Sequence, residues 1–557
     1  MINIEEKASS KIPGSSSLYV NFKYDPKIVE VLRDLSCKYY DEESKTWEVP
    51  LSCCSYLIDN LCTVDDINLK FIDYKEDISK EYKLAAYKTK PFNYQLEAIQ
   101  FGLNHDKWLL LDEPGLGKSL TAIYLAEELK RYKGIKHCLI ICGINNLKFN
   151  WKKEIEKHST SSCVILGQRI NKKGKLVIGS VKDRVNHLLN TIDEFFIITN
   201  IETLREEAIV KAFKKTKNKI DMIIVDEIHA CKSPTSQQGK HLLKLDKAKF
   251  KVGMTGTLLL NNPLDTYMPL KWIDVEKAPF SMFKGNYCSY GGPFNNILIG
   301  FKNLDLLKYQ LSKHSLRRTK DLLDLPPKTI INEYLEMPDK QDSFYNNIKQ
   351  GIIEEVDKVK ITTTSLLAMV ARLRQATACP SILTSEAIPS AKLLRAVELT
   401  EQLISNGDKV VIFSTFKETV KELAHELQEF NPFIATGDTD DSEISAYVDK
   451  FQNDPDSKVF IATWQKCGTG ITLNAASYMI FIDTPWTNAV FEQACDRIHR
   501  IGTSKPVFIY NLIIRDTIDE RVLELVNDKK ALADYIIDDV ISPDALNSLK
   551  KYISELK

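Results

Sequence analysis

The sequence predicts an α/β fold in which two lobes with parallel sheets carry helical insertions and follow a small α+β module. Two series of short, continuously apolar runs indicate the lobes, because such runs fit strands that are buried on both faces of a parallel sheet. Apolar residues at helical spacing between the two series indicate a helical insertion. The predicted limits are 1–17 for a flexible tail, 18–75 for the small module, 88–330 for the first lobe, 331–384 for the helical insertion, 385–515 for the second lobe and 516–557 for C-terminal helices.

Aromatic residues in a strand-like alternation indicate the N-terminal module. It follows a polar segment that contains Pro13 and Gly14, a composition typical of a flexible tail. The predicted elements are a strand at 18–24, a helix at 26–35 and a hairpin at 38–51, followed by a charged linker at 75–90.

The apolar runs of the two lobes place their strands. The predicted strands are 108–112, 138–142, 195–199 and 222–226 in the first lobe, and 409–415, 458–463, 478–483 and 507–511 in the second. Helical patterns at 348–360 and 366–374 lie between the two series. Two α/β lobes around a helical insertion are the simplest arrangement of these elements.

Composition and charge indicate which kinds of binding surface and which cellular compartment to expect. The 557 residues include 75 basic and 75 acidic side chains, so a nucleic-acid surface would have to be a local cleft. A polar start and the absence of a run of about 18 apolar residues predict neither a signal peptide nor a membrane span. The 12 cysteines contain no CxxC pair, which favours reduced thiols without zinc. We therefore expect a cytoplasmic protein of a bacterium or of a phage-infected cell.

A glycine-containing segment after the first strand of lobe one has the context of a phosphate-binding loop. It precedes a helical pattern at 120–130, so backbone N–H groups and a helix N-terminus would face the phosphates of ATP. Lys118 would neutralise the β- and γ-phosphates, and the Ser119 hydroxyl would bind Mg²⁺. Asp112 stands where the strict motif has glycine. The predicted loop residues are Asp112, Glu113, Pro114, Gly115, Leu116, Gly117, Lys118 and Ser119.

Two carboxylates at the end of a later strand complete the predicted catalytic centre of this lobe. Asp226 would hold Mg²⁺ through water, and Glu227 would orient or deprotonate the attacking water. An Asp-Glu pair alone could equally be a solvated loop, and its position after the phosphate-binding loop favours the catalytic role. Upstream, the amide of Gln95 could bind the adenine edge, although one glutamine is by itself a weak signal.

Two arginines near the C-terminus are the predicted catalytic residues of the second lobe. Arg497 and Arg500 are three positions apart and would share a face if the segment is helical, with Gln493 one turn earlier. A guanidinium group stays charged and offers a planar set of donors, which suits the charge that develops in phosphoryl transfer. Because loop and arginines lie on different lobes of the sequence, we expect hydrolysis to require both lobes, as in a motor.

Further polar residues at predicted strand ends could contact a nucleic-acid backbone or the nucleotide. Those after predicted strands are Asn200, Thr255, Thr257, Ser414, Thr415, Gly468, Thr469 and Gly470, and a predicted helix carries three more candidates, Trp151, Lys152 and Lys153. The lysines of residues 211–219 are more typical of a solvated helix face.

In their order along the chain, segments 112–119, 226–229 and 493–502 resemble signature motifs of the Swi/Snf-type ATPases within the superfamily two helicases. Segments 316–320 and 325–328 resemble connectors of the same family. The resemblance implies two RecA-like lobes and a double-stranded-DNA-stimulated ATPase that translocates on duplex DNA. It assigns the loop residues, Gln95 and Gln493 to nucleotide binding.

The N-terminal module resembles the HARP module of annealing helicases in the spacing of Phe22, Tyr24, Tyr40 and Trp47. This resemblance implies binding to DNA forks or unpaired strands. The alternative is an unrelated small hairpin domain whose aromatic residues form its core. Where the family usually has methionine, Pro114 removes one backbone donor from the loop.

Three functions follow from these patterns. The leading hypothesis is an ATP-dependent translocase that anneals or remodels branched or forked DNA. The second is a motor that acts on a protein bound to DNA, such as stalled RNA polymerase. The third is a nucleotide-switched subunit of a defence complex, against which Glu227 and both arginines argue.

Overall fold

The chain divides into two compact units that are built around separate sheets. Unit 1 comprises Met1–Glu113, Lys118–Ile144 and Trp151–Arg318, and unit 2 comprises Pro114–Gly117, Asn145–Asn150 and Thr319–Lys557. The computed structural model describes residues 1–11, 16–35, 38–61, 64–70, 80–143, 147–170, 176–256, 263–291, 297–302, 304–358, 363–468, 471–486 and 488–527.

The N-terminal module of unit 1 is a mixed sheet covered by two helices. Its elements are β1 (Ile2–Ala8), β2 (Ser16–Asn21), α1 (Pro26–Asp34), β3 (Tyr39–Asp41), β4 (Thr46–Pro50), α2 (Cys54–Leu61) and β5 (Ile67–Lys70). The strand order is β3-β4-β2-β1-β5. Alternate residues such as Leu18 and Val20 are fully buried against the helices, as expected for a sheet with one solvent-facing side. The predicted α+β module is therefore present.

The prediction of a flexible tail at residues 1–17 is wrong. Strand β1 pairs antiparallel with β2 and parallel with β5, which places it inside the sheet. Its alternate residues Ile2 and Ile4 are 0% and 1% exposed, so they form part of the core of the module. The short alternation is interrupted by charged residues and resembles a polar tail in the sequence. Residues 12–15, on which the prediction also depended, lie outside the described residues.

The predicted linker at 75–90 is, from residue 80 onward, an extended segment that is bound to unit 1. The backbone N–H groups of Tyr82, Ala85 and Thr89 donate to Gln100, Glu128 and the Tyr124 hydroxyl, at 3.0, 2.8 and 3.0 Å. Residues 75–79 lie outside the described part of the chain.

The remainder of unit 1 is organised around a parallel sheet with the strand order β16-β6-β13-β12-β7-β11-β8. Every pairing in this sheet is parallel, and strands such as β7 and β11 are buried along most of their length, which explains their continuously apolar sequences. The elements are α3 (Asn93–Asn104), β6 (Lys107–Leu110), α4 (Lys118–Lys133), β7 (His137–Cys142), α5 (Leu147–His158), β8 (Cys163–Ile165), β9 (Gln168–Ile170), β10 (Leu176–Ile178), α6 (Val181–Leu189), β11 (Phe196–Asn200), α7 (Glu207–Lys215), β12 (Ile220–Asp226), α8 (Gln237–Leu243), β13 (Phe250–Met254), α9 (Tyr267–Trp272), α10 (Phe280–Tyr287), β14 (Cys288–Gly291), β15 (Ile297–Phe301), α11 (Leu304–His314) and β16 (Ser315–Leu316).

Unit 2 contains a second parallel sheet, with the strand order β17-β22-β21-β18-β20-β19. Its elements are β17 (Lys328–Leu335), α12 (Asp339–Lys358), α13 (Thr363–Ala378), α14 (Ala391–Ser405), β18 (Val410–Ser414), α15 (Lys417–Glu426), β19 (Phe433–Ala435), α16 (Asp441–Asn453), β20 (Val459–Thr463), α17 (Trp464–Cys467), β21 (Tyr478–Phe481), α18 (Asn488–Cys495), β22 (Val507–Ile514) and α19 (Ile518–Asn527). The predicted α/β fold class with two parallel-sheet lobes is confirmed.

The helical insertion begins later than predicted. Residues 331–335 belong to β17, which pairs in parallel with β22 along its whole length, and helices follow from Asp339. Because β17 is an edge strand with several exposed side chains, its sequence lacks the continuous apolar run of a buried strand. The predicted C-terminal helices are represented by α19, and residues 528–557 lie outside the described residues.

Candidate nucleotide-binding site

The predicted phosphate-binding loop lies between β6 and α4. Gly115 and Gly117 have φ values of +91° and +75°, a left-handed conformation that side chains with a Cβ rarely adopt. Lys118 is the first residue of α4 and Ser119 is the second. The loop therefore delivers both side chains to the N-terminus of a 16-residue helix, where backbone N–H groups favour an anion.

The Lys118 ammonium group lies over its own loop. Its Nζ atom donates to the carbonyl oxygens of Asp112, at 2.8 Å, and Glu113, at 3.3 Å. A cation held across the mouth of this loop fits the role of neutralising the phosphates of a nucleotide.

The carboxylate of Asp112 is engaged by a residue that the sequence patterns did not single out as part of the site. Arg318 donates from Nε to Oδ1 at 2.9 Å and from Nη2 to Oδ2 at 2.6 Å, and the Asp112 side chain is 1% exposed. The structure therefore places the predicted nucleotide ligand Asp112 in a buried pair with an arginine. Its effect on a nucleotide would come through the position of the loop.

Gln95 also has a structural contact. Its Oε1 atom accepts from the backbone N–H of Phe92 at 2.9 Å, which closes the first turn of α3, and the residue is 2% exposed. The adenine contact predicted for Gln95 stays a prediction.

Asp226 and Glu227 lie at the carboxyl end of β12. Because β6 and β12 are parallel strands of one sheet, their carboxyl ends, and with them the loop and the two carboxylates, lie at the same edge. Asp226 accepts a hydrogen bond at Oδ2 from the indole Nε1 of Trp151, at 3.0 Å. Burial and the neighbouring Glu227 charge raise the pKa of Asp226, while the Trp151 hydrogen bond and the Lys118 charge oppose this shift.

Glu227 is held in an unusual backbone conformation by its surroundings. Its φ value is +53°, which is costly for a residue with a side chain. His229 Nδ1 lies 2.9 Å from the Thr255 hydroxyl and 3.2 Å from Glu227 Oε2, and the Thr255 hydroxyl donates to the same carboxylate oxygen at 3.4 Å. The carboxylate is thus tied to the residue that follows β13. Thr257 lies outside the described residues.

These side chains fit a magnesium–nucleotide complex. The two left-handed glycines, Lys118 and the start of α4 would donate to phosphate, and Ser119 and Asp226 would supply the oxygen ligands that Mg²⁺ prefers. A bound Mg²⁺ would neutralise charge on the phosphates during their transfer.

The two predicted arginines of unit 2 follow a helix instead of lying on it. Helix α18 ends at Cys495, so the proposal of a shared helical face for Arg497 and Arg500 is wrong. They nevertheless converge, because their Nη1 atoms lie 3.2 and 3.5 Å from the carbonyl oxygen of Ile471. Arg500 also donates to the Thr472 hydroxyl at 2.8 Å. Arg497 Nε donates to the carbonyl oxygen of Gln493 at 3.0 Å.

The arginine segment is anchored to the start of unit 2 by ion pairs that the sequence did not reveal. Lys320 pairs with the buried Asp496, and Lys328 pairs with Glu492 at 2.5 Å. His499 Nε2 lies 2.8 Å from the carbonyl oxygen of Pro326, and burial lowers the pKa of this histidine. The turn that carries both arginines is therefore fixed from two sides.

Ser414 and Thr415, at the end of β18, belong to a buried network around Asp483. The Asp483 carboxylate accepts from the Ser414 hydroxyl at 2.6 Å and from the Thr415 backbone N–H at 3.0 Å. Arg374 donates to the Thr484 carbonyl at 2.6 Å and lies 4.5 Å from the Trp486 ring. This network orders the loops after two neighbouring strands of the second sheet, β18 and β21. Thr469 and Gly470 lie outside the described residues.

Several predicted nucleic-acid contacts have partners within the protein. Lys152 pairs with Glu156 at 2.8 Å, and Asn200 donates to Glu202 at 3.1 Å. In the lysine cluster, Lys211 and Lys219 pair with Glu207 and Asp221, as expected of a solvated face.

The ten cysteines in the described residues are free thiols. Among the described residues, no group of three or more His, Cys, Asp or Glu side chains could hold a metal ion. The helices in the described part of the chain include none with the length and apolar character needed to cross a membrane.

Comparisons with curated proteins give relatives that are longer than this chain. An uncharacterized ATP-dependent helicase of Mycoplasma pneumoniae is 28% identical over 467 residues, which are 82% of this chain and 43% of that protein. The DNA annealing helicase and endonuclease ZRANB3 of Mus musculus is 26% identical over 461 residues, 79% of this chain and 40% of that protein. The chain thus spans less than half the length of these relatives.

A solved structure and two family models also match. The structure is the Sulfolobus solfataricus SWI2/SNF2 ATPase core in complex with dsDNA, at 24% identity, 85% coverage of this chain, 98% coverage of that chain and a TM-score of 0.38. The helicase conserved C-terminal domain matches residues 392–502. The SNF2-related domain matches residues 27–382, more than half of the chain, and the chain therefore belongs to the SNF2 family.

Proposed function

We propose that this SNF2-family chain is a DNA-dependent ATPase that translocates on double-stranded DNA and anneals or remodels forked or branched DNA. The observation that carries the ATPase part is the common sheet edge that holds the phosphate-binding loop, Asp226 and Glu227. Lys118 and Ser119 would bind the magnesium–nucleotide complex, and Glu227 would orient the attacking water. Arg497 and Arg500 would stabilise the charge that develops during hydrolysis.

The N-terminal module supports a preference for DNA with unpaired strands. Tyr24 is 79% exposed and Tyr40 is 49% exposed, and Lys38 and Lys45 are close to Tyr40 in the sequence. The rings of Tyr40 and Trp47 lie 5.0 Å apart on neighbouring strands. Exposed aromatic rings beside lysines are suited to stacking with unpaired bases, an interaction that contributes about 1–3 kcal/mol per base. These exposed rings support the role in binding unpaired strands that the HARP resemblance implies.

The relatives support the same proposal from a separate direction. The match to the DNA annealing helicase and endonuclease ZRANB3 covers 79% of this chain. We therefore propose that the motor translocates along duplex DNA and acts preferentially at forks.

The proposal is tested by ATP hydrolysis without nucleic acid and with single-stranded DNA, blunt duplex DNA, forked DNA and duplex RNA. We expect the strongest stimulation by forked DNA. The double variant Tyr24→Ala, Tyr40→Ala should weaken fork binding about 10-fold or more, because about 1.4 kcal/mol corresponds to a tenfold change and each lost stacking contact contributes on that scale. Stimulation by blunt duplex should persist in this variant.

The matched control is Tyr334→Ala, which removes an exposed tyrosine from unit 2. Equal loss of fork binding in both variants would contradict a specific role for the module. If forked and blunt DNA stimulate ATP hydrolysis by the wild type equally, the result supports a duplex-DNA motor and contradicts the annealing function. Turnover that no nucleic acid changes would contradict the proposed motor as a whole.

A further inference from the structure

The Arg318 side chain contacts two parts of the sequence around the nucleotide-binding loop. Besides the bidentate pair with Asp112, its Nη1 atom donates to the carbonyl oxygen of Tyr94. The guanidinium carbon also lies 5.2 Å from the centre of the Tyr94 ring. Tyr94 precedes Gln95 at the start of α3, and Asp112 begins the loop, so one guanidinium group joins both segments.

The backbone around Arg318 is attached to the same loop. The Leu111 N–H donates to the Leu316 carbonyl at 2.7 Å, and the Glu113 N–H donates to the Arg318 carbonyl at 3.0 Å. Leu316 belongs to β16, which pairs in parallel with β6. Main-chain and side-chain bonds therefore hold residues 316–318 against the first residues of the loop. Arg318 is also the last residue of unit 1, and Thr319 begins the main segment of unit 2.

We propose that Arg318 is a positioning residue that fixes the nucleotide-binding loop through Asp112 and links the state of that loop to the segment where the chain leaves unit 1. This inference rests on the proposed ATPase function and names a residue that the motifs of the site do not contain. It also explains why a carboxylate at position 112 suits this loop. The Asp112 carboxylate holds the start of the loop through Arg318, and the glycines and Lys118 are left to bind the nucleotide.

The chemistry of the pair requires an arginine. A planar guanidinium group can bind both oxygens of a carboxylate and lie against an aromatic ring at the same time, which a lysine ammonium group cannot do. The side chain of Arg318 is 12% exposed and that of Asp112 is 1% exposed, so water would replace the lost contacts poorly. Lysine at position 318 would keep the positive charge and lose the planar group that binds both carboxylate oxygens. Arg318→Lys should therefore disturb the loop without leaving the buried Asp112 carboxylate unpaired.

The test compares Arg318→Lys with Arg317→Lys in the full chain. Arg317 is the exposed neighbour of Arg318, so its replacement is a matched control for charge, size and position. We expect Arg318→Lys to raise the KM for ATP about 10-fold and to change kcat by less than about threefold, because a misplaced loop weakens ground-state and transition-state binding alike. Arg317→Lys should match the wild type.

Amide hydrogen exchange supplies a readout that a purely structural role would not move. In the wild type, ATP should slow exchange both in the loop and in the segment that carries Arg318. In Arg318→Lys at saturating ATP, the loop should still be protected and the Arg318 segment should no longer respond. Asp112→Asn removes the charge from the other side with little change in shape, and it should show the same loss of response.

The outcomes separate this inference from the proposed function. A wild type that neither binds nor hydrolyses ATP would contradict the proposed function. A wild type that does both, with Arg318→Lys and Asp112→Asn indistinguishable from Arg317→Lys, would overturn the positioning role alone. If Arg318→Lys does not fold, the result for Asp112→Asn decides.

Discussion

Trp151 contacts Asp226, the carboxylate that we expect to hold Mg²⁺. The sequence placed it on a basic helix that could bind a nucleic-acid backbone, whereas the structure buries it to 1% exposure and directs its indole N–H to Asp226. The other oxygen of this carboxylate accepts from the Glu227 backbone N–H at 3.1 Å. With one donor on each oxygen, the carboxylate has a fixed orientation in which to bind Mg²⁺.

We expect Trp151→Phe to weaken Mg²⁺-dependent nucleotide binding. Phenylalanine preserves an aromatic ring in the same place and removes the hydrogen bond that orients Asp226. Loss of a partner that orients a metal ligand typically costs about 10–100-fold in metal affinity or activity. The Mg²⁺ concentration for half-maximal binding of a fluorescent ATP analogue should therefore rise about 10-fold.

Trp272→Phe is the control for this substitution. Trp272 is as buried as Trp151, and within the described residues its indole N–H has no acceptor. The two variants therefore lose similar volume, and one of them also loses a hydrogen bond. The same rise in the Mg²⁺ requirement in both variants would show that packing, and no specific contact with Asp226, is responsible.

At the residue scale, the sequence predicted side chains that local motifs define and missed their partners. Lys118 and Asp226 could be predicted because a loop or strand end carries each of them in a short, ordered pattern. Trp151 is 75 residues from Asp226, and Arg318 is 206 residues from Asp112. Such pairings depend on how the sheet orders its strands, and a single sequence contains no local signal for that order.

At the scale of elements, the strands that are buried on both faces of the parallel sheets were predictable, and the edge strand β17 was not. Strand β12 is apolar along most of its length, whereas β17 exposes several of its side chains. Strand β1 shows a related difficulty, because only Ile2 and Ile4 of its alternation face the core of a small sheet and most of the others are polar. The sequence pattern of an edge or a one-sided strand is short, so it is easily taken for a loop.

Strand β1 provides a stability test of the corrected N-terminus. We expect Ile4→Ala to destabilise the module by about 2–5 kcal/mol, the usual cost of truncating a buried isoleucine. If residues 1–17 were a flexible tail, the same substitution would have little effect. Amide hydrogen exchange of β1 and β2 at increasing urea concentration would measure the change within the module.

Asn3→Ala is the matched control because Asn3 is exposed on the same strand. It should change the free energy of unfolding by less than about 0.5 kcal/mol, as surface substitutions usually do. Equal stability of both variants and the wild type would contradict the placement of β1 in the sheet.

At the scale of the whole molecule, the balance of charge places limits on how DNA is bound. The formal net charge is zero, so attraction to DNA has to come from local basic surfaces. The proposed catalytic groups are also distributed along the chain, with Lys118 in unit 1 and Arg500 in unit 2. Turnover should therefore depend on groups that fold around two different sheets.

We expect Arg500→Ala to bind ATP with nearly wild-type affinity and to lose hydrolysis by about 10³–10⁵-fold, the usual effect of losing an arginine that stabilises phosphoryl transfer. Lys118→Ala should lose nucleotide binding itself, because its ammonium group would neutralise the phosphates. Arg515→Ala, which removes an exposed arginine of unit 2, should retain both activities. Binding of a fluorescent ATP analogue and release of phosphate, measured on the same samples, would separate the two effects.

Mixing the Lys118→Ala and Arg500→Ala chains then asks whether one chain supplies both groups. If a single chain carries the complete set, the mixture stays inactive, since every molecule lacks one essential side chain. Recovery of turnover would mean that two chains complete each other's site and that the active motor is an oligomer. If the Arg500→Ala chain alone hydrolyses ATP at the wild-type rate, Arg500 has no role in hydrolysis. The prediction that both units supply catalytic groups would then be wrong.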